Sequence, residues 1–315
     1  MQITRGKIPG AIKTVIFGPE GIGKSTLASQ FPDPVFIDTE GSTKQMDVAR
    51  FPAPETWQDI LDEVKYVYQN PETCRTLVID TADWAEMLCV KALLGSTMES
   101  IEDFGYGKGY VKLAEKFKTL LDELDKVISA GIHVVITAHA QMRKFEQPDE
   151  IGAYDRWEMK LQKKTAPMVK EWADMVLFCN YRTYVVNVDN QGAKKGKNKV
   201  MGGERVIYTS HHNCWDAKNR FGLPDSIPME FSSISSVIGE PEKTEPKWKQ
   251  LNTKMKESGI EEFDLQNLVG IKGWATSVTP IAEYSDELLD FLLSDWSTVK
   301  ERINELKGSE EIPFE

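Results

Sequence analysis

The chain has 315 residues, 41% of them apolar and 28% charged, and its 49 acidic and 38 basic side chains leave a formal net charge of −11. That composition belongs to a water-soluble folded chain with enough apolar side chains for a core, and it excludes disorder as the main state. No apolar run approaches the roughly 20 residues of a membrane span, and the start, MQITRGKIPGAIKTVIFG, lacks the apolar centre of a signal peptide. A cytoplasmic location is therefore expected. Cys74, Cys89, Cys179 and Cys214 are scattered without paired spacing, which argues against a zinc site or a disulfide framework and for reduced thiols.

Short β-branched runs alternate with amphipathic stretches through the first two hundred residues, a pattern that predicts an α/β fold built on a mainly parallel sheet. Strands are expected over Lys13 to Phe17, Val35 to Asp38, Thr76 to Asp80, His133 to Thr137 and Met175 to Cys179. Between them Trp57, Ile60, Leu61, Val64 and Tyr68 recur at helical spacing, as do Leu113, Phe117, Leu121, Leu124 and Ile128. After Tyr181 the runs TYVVNV, ERVIYTS and WDAKNRF predict an antiparallel extension of the sheet, with QGAKKGKNKVMGG as the turn between the first two. The domains follow: residues 1–235 as the α/β body, the Pro- and charge-rich 236–247 as a linker, and 248–315 as a small helical module. Its last helix is expected to be one long element with Leu289, Leu292, Trp296, Val299, Ile303 and Leu306 along its apolar face.

Directly after the first strand comes Gly18-Pro19-Glu20-Gly21-Ile22-Gly23-Lys24-Ser25-Thr26, which satisfies G-x-x-x-x-G-K-[ST] between a strand and a helix. Glycines let the backbone curl so that successive N–H groups and the helix start point at a phosphate. This predicts an ATP site in which Lys24 bridges the β- and γ-phosphate oxygens and Ser25 places its hydroxyl on Mg²⁺. Asp80, ending the apolar strand TLVID, is the second expected Mg²⁺ group. The second strand ends in two carboxylates, Asp38 and Glu40. A carboxylate at that sheet edge can orient or deprotonate an attacking water, so Glu40 is the candidate general base and Asp38 its structural neighbour. The alternative is that both carboxylates only cap the strand-to-loop turn.

GPEGIGKST followed by FIDTEG resembles the RecA-type recombinase ATPases. That resemblance implies a RecA-like P-loop core with ATP bound between protomers of a homo-oligomer, and a glutamate at the Glu40 position as catalytic base. HVVITAHAQ resembles the strand that ends in a sensor of the γ-phosphate, which implies His139 or Gln141 in that role. Lys218-Asn219-Arg220 resembles the basic segment presented to a neighbouring subunit's nucleotide, implying Lys218 and Arg220 as a finger in trans. Motif order and the small tail are similar to compact phage single-strand annealing or recombination ATPases, over residues 10 to about 230.

The same family places DNA-binding loops after the helix that follows the strand ending in Asp80 and after the sensor strand. Their counterparts are Glu99 to Tyr110, with Lys108 among Phe104, Tyr106 and Tyr110, and Met142 to Thr165, with Arg143, Lys144, Arg156, Trp157, Lys160, Lys163 and Lys164. Basic residues interleaved with aromatics suit sequence-independent binding of single-stranded DNA; the alternative is that the aromatics anchor the loops to the core. From Met142 to Lys199 there are twelve Lys/Arg against eight Asp/Glu, a local +4 on an acidic body, and Lys194, Lys195, Lys197 and Lys199 would extend the track. The ending Ser309-Glu-Glu-Ile-Pro-Phe314-Glu315 resembles the acidic tip of single-stranded-DNA-binding proteins, which implies that the tail recruits a replication partner or shields the chain's own basic groove; the alternative is a frayed acidic end. Together these expectations describe an ATP-dependent, DNA-binding ATPase of annealing or homologous recombination. The alternatives are a ring helicase or helicase loader, a P-loop phosphotransferase, and a nucleotide-gated binding module.

Overall fold

Val15, Ile16 and Phe17 are fully buried in Lys13–Gly18 (β1), the central strand from which the rest of the body is laid out. The computed structural model describes residues 5–6, 10–146, 152–187, 198–238 and 246–310. The chain divides into two compact units, Met1–Lys243 and Thr244–Glu315. Most of the expected 236–247 segment, Lys194, Lys195 and Lys197, the side chain of Lys199, and residues 311–315 of the tail lie outside the described residues.

In the first unit β1 is followed by Lys24–Ala28 (α1), Pro34–Asp38 (β2), Ala49–Arg50 (β3) and Trp57–Gln69 (α2). Thr56 and Asp59 form a capping box that fixes where α2 starts. Thr76–Asp80 (β4), Ala82–Leu94 (α3), Lys108–Ser129 (α4), His133–Glu146 (β5), Ala153–Met159 (β6) and Thr165–Trp172 (α5) come next. Met175–Asn187 (β7), Asn198–Tyr208 (β8), Lys218–Asn219 (β9), Ser226–Pro228 (β10) and Ser235–Ile238 (α6) complete it. The strand order is β10-β8-β7-β1-β5-β4-β2-β3, with β6 on β5 and β9 on β7. Strands β1 to β5 and β7 pair in parallel, whereas β6, β8, β9 and β10 join antiparallel.

Two apolar layers cover the sheet. One packs α2, α3, α4 and α5 through Trp57, Ile60, Leu113, Phe117, Leu124 and Val169. The other holds Ile22, Leu27 and Ala28 against Ile16, Val78, Val135 and Leu177. Cys74, Cys89 and Cys179 are buried and free, and burial pushes the thiols of Cys89 and Cys179 up to about 12, so they pack as small apolar groups.

Two strands outrun their expected ends. β5 continues past Thr137 to Glu146 because residues 140–146 pair antiparallel with 153–159, so the expected loop Met142 to Thr165 is largely a hairpin. β7 continues to Asn187 along β8 in the same way.

In the second unit Lys247–Ser258 (α7), Glu262–Ile271 (α8), Asp286–Ser294 (α9) and Trp296–Glu310 (α10) enclose Leu251, Leu265, Leu268, Val269, Leu292 and Ile303. The single long last helix of the sequence reading is two helices. Asp295 breaks it by capping α10, its carboxylate accepting from the Thr298 hydroxyl at 2.7 Å and its carbonyl from the Val299 N–H at 3.1 Å. Among the described residues no helix is long and apolar enough to cross a membrane.

Candidate nucleotide site

The phosphate loop leaves β1 at Gly18, where a Cβ would stand 2.3 Å from the Cys179 carbonyl oxygen on β7. Only a residue without a side chain permits that strand spacing. Gly21 and Gly23 sit at φ 71° and 108°, the left-handed region glycine tolerates, and so turn the loop back over β1. Lys24 Nζ, buried under the loop, donates to the carbonyls of Gly18 and Pro19 at 3.2 and 3.0 Å. Burial lowers its pKa, opposed by the charges of Asp80, Asp83 and Glu40.

The parallel register sets Gly18 beside His139 and Asp38 beside Asp80, so β1, β5, β4 and β2 deliver their carboxyl ends to one edge. Asp80, fully buried, accepts from Ser25 and Ser42 Oγ at 2.8 Å each, and from Thr137 Oγ1. Asp38 is used differently. It accepts from the N–H groups of Gly41, Ser42 and Thr43 at 2.7, 3.1 and 2.9 Å and from the Thr43 hydroxyl at 2.6 Å. Burial penalises its charge, yet these donors outweigh that penalty and hold the carboxyl below its ordinary value. Asp38 thus shapes the loop that carries Glu40.

Glu40 Oε2 lies 3.9 Å from His139 Nε2, and its side chain is 29% exposed. Partial burial raises its pKa, the facing His139 opposes that shift, and Asp80 and Asp83 add to it. On the other side of the imidazole, Asp83 accepts from His139 Nδ1 at 2.9 Å and from its main-chain N–H at 3.0 Å. These bonds outweigh burial and keep the Asp83 carboxyl below its ordinary value. A hydroxyl and a carboxylate 2.8 Å apart are the hard oxygen donors Mg²⁺ prefers, and the glycine cradle leaves room for phosphate, so Ser25 and Asp80 fit Mg²⁺ with a nucleoside triphosphate.

Not every expected residue reaches this edge. The Gln141 amide donates to the Met159 carbonyl at 3.2 Å and fastens the hairpin, leaving His139 as the sensor candidate at the site. Lys218 Nζ lies at the opposite, amino edge of the sheet, where β9 pairs with Met175 and Val176. There it caps α5 by donating to the carbonyls of Lys170, Glu171 and Ala173, the first two at 3.1 and 3.0 Å. Arg220 pairs with Asp174 at 2.9 Å and stays 59% exposed. Neither cation reaches its own chain's phosphate loop.

Of the candidate DNA contacts, Arg156 forms an ion pair with Asp216, which Lys170 shares at 2.6 Å, and is 12% exposed. Arg143 is half-buried between Glu158 at 3.8 Å and the Leu161 carbonyl at 3.4 Å. By contrast Lys108, Lys144, Lys160, Lys163 and Lys164 are exposed. The Lys160 N–H donates to the His139 carbonyl at 2.8 Å, which ties the lysine loop to the site. Lys108 opens α4, so of the expected Glu99 to Tyr110 loop the last three residues are helical, and Tyr106 before them is fully exposed. Ser42, Asp83 and Arg205 are site residues the sequence reading missed. Ser42 and Asp83 each lie within three or four residues of Asp38 or Asp80 and were within reach of the strand-end argument. Arg205, whose guanidinium donates to the Ile22 carbonyl at 3.3 Å, is 183 residues away and carries no local signal.

No curated protein matches the chain. Among solved structures, the flagellar accessory protein FlaH from Methanocaldococcus jannaschii is similar at 12% identity and a TM-score of 0.33, over 64% of this chain and 87% of FlaH. Residues 11–221 match the sequence profile of a family described as AAA domain. That span covers both edges of the phosphate site and most of the sheet, a RecA-like P-loop NTPase fold, and the chain belongs to this AAA-domain family of P-loop nucleotide-binding proteins.

Proposed function

We propose that the chain hydrolyses ATP with Mg²⁺ and uses that cycle to govern binding of single-stranded DNA in annealing or homologous recombination, as compact phage recombination ATPases do. The hydrolytic part is carried by the convergence of Lys24, Ser25, Asp80, Glu40 and His139 at four adjacent strand ends. Lys24 exchanges two loop carbonyls for phosphate oxygens, and Glu40 takes the proton of the attacking water. Asp83 holds Nδ1 of His139 as a donor, so that Nε2 faces Glu40 and the terminal phosphate side. Mg²⁺ would neutralise charge developing on the phosphate oxygens.

The DNA part is supported by the exposed Lys144, Lys160, Lys163 and Lys164 on and beside the hairpin that continues the His139 strand. Lys108 and Tyr106 add a cation and an exposed ring. A role in trans between protomers falls to the exposed Arg220, because Lys218 would have to abandon three carbonyl acceptors. The acidic tail is assigned to a single-strand-binding or replication partner.

Fluorescence anisotropy of a labelled single-stranded oligonucleotide with ATP, ADP or no nucleotide, across a salt series, tests the reading. ATP-dependent, salt-sensitive binding that prefers single strands is expected. Absence of binding in every nucleotide state overturns the DNA assignment. Duplex unwinding would favour a helicase, and phosphate transfer to a metabolite without DNA a phosphotransferase.

A further inference from the structure

A triphosphate site fixes one end of a nucleotide and leaves the other unassigned. Sheet order supplies the direction. Glu40, Asp80 and His139 belong to β2, β4 and β5, all on one side of β1, while β7 and β8 lie on the other. A nucleotide whose terminal phosphate meets Asp80 and Glu40 must send its nucleoside across the phosphate loop toward β7 and β8.

On that side stands a group the phosphate chemistry does not use. Arg205 Nη1 donates to the Ile22 carbonyl at 3.3 Å, and a Cβ on Gly23 would lie 3.1 Å from the same nitrogen. Its acceptor is a main-chain carbonyl, and among the described residues no carboxylate pairs with it, so its charge is open to a ligand. Across the antiparallel ladder its partner is Tyr181, and directly paired residues share a face. Two residues along, Cys179 and Ile207 face the apolar layer that contains Ile22 and Leu27, so Tyr181 and Arg205 stand on the α1 side, just past the end of that layer. Tyr181 is 42% exposed. Met229 completes the group: its N–H donates to the Arg205 carbonyl at 3.2 Å, and its Cε lies 3.7 Å from the Cβ position of Gly23.

We propose that Tyr181, Arg205 and Met229 form the nucleobase subsite, a shelf beside the phosphate loop on which a planar heterocycle lies. The phenol ring offers a stacking surface, the guanidinium a second plane that also bears charge, and the thioether a polarisable edge. The inference rests on the nucleotide reading of the phosphate loop. It assigns the base to the strand pair that the amino-terminal motifs do not include.

Titration calorimetry of the full chain with Mg²⁺, comparing ATP with inorganic tripolyphosphate, separates the two ends. Tyr181→Ala and Arg205→Ala should each weaken ATP about tenfold and leave tripolyphosphate unchanged. Tyr181→Phe keeps the ring and should bind ATP as the wild type does, whereas Arg205→Lys keeps the charge without the plane and should behave as Arg205→Ala. The proposal is overturned if tripolyphosphate weakens in step with ATP, since the residues would then hold phosphate, or if ATP affinity is unchanged in both alanine variants. Failure of the underlying reading looks different: the wild type would bind neither ligand, or Lys24→Ala would bind both undiminished.

Discussion

Asp83 accepts two hydrogen bonds from one residue, His139, through the imidazole Nδ1 at 2.9 Å and the main-chain N–H at 3.0 Å. The ring can neither rotate nor change tautomer without losing a bond, and Nε2 is thereby aimed at Glu40. Asp83→Asn keeps an acceptor for the N–H but presents an amide whose orientation no longer fixes the tautomer. Hydrolysis should fall by about ten- to a hundredfold while the ATP dissociation constant stays the same, measured by steady-state phosphate release beside calorimetry.

Glu40 acts as a base only when ionised, and partial burial with the nearby charges of Asp80 and Asp83 raises its pKa above 4.5, His139 opposing. The rate should therefore rise with pH along an acid limb centred above the ordinary glutamate value. Glu40→Gln should remove that limb and lower turnover by about 10² to 10⁴ while retaining ATP. An unaltered pH profile in this variant removes Glu40 from the base role.

Gly18→Ala would place a methyl 2.3 Å from the Cys179 carbonyl oxygen, a backbone atom that cannot swing aside. β1 and β7 must separate, at a cost of about 1 to 3 kcal/mol in denaturant unfolding, with the loss extending to nucleotide affinity because the same residue opens the phosphate loop.

Glu63 on α2 has a buried Oε2 with no hydrogen-bond partner, and burial, followed by the charge of Asp59, raises its pKa from 4.5 to about 7. The fold favours the neutral form, so its contribution is full below pH 4.5 and is lost as pH rises through about 7. Glu63→Gln should therefore melt above the wild type at pH 8.5 by a margin that shrinks toward pH 5, followed by thermal denaturation at both pH values.

The exposed lysines and the paired arginine of the hairpin region should separate in DNA titrations. Combined Lys160→Ala, Lys163→Ala and Lys164→Ala should reduce the salt slope of single-strand binding by about 2. Arg156→Ala instead leaves Asp216 paired with Lys170 alone and lowers stability by about 1 kcal/mol, with the slope preserved.

How far the sequence could be read followed how local each signal was. The phosphate loop, Asp38, Glu40 and Asp80 stand at the ends of short apolar runs, so their neighbourhood is implied once the strands are assigned to a parallel sheet. Arg156 looked like a phosphate contact because nothing near it in sequence announces Asp216, 60 residues away. Lys218 was expected at a nucleotide and Arg205 was overlooked for the same reason: which end of the sheet each occupies depends on the pairing of β9 and β8 with β7, and antiparallel register leaves little trace in composition. The hairpin was hidden because its strand continues, without a turn signal, from a run already recognised as buried.

That continuity makes the hairpin part of the sheet. β5 is one fourteen-residue strand, clamped among parallel neighbours for its first half and free of them for its second. The seven residues past His139 extend about 23 Å. Its partner strand is moored to the body, the Trp157 N–H donating to the Cys214 carbonyl at 2.7 Å and Arg156 pairing with Asp216, so the hairpin is a rigid outgrowth of the sheet that holds the exposed Lys144 at a set distance from the imidazole.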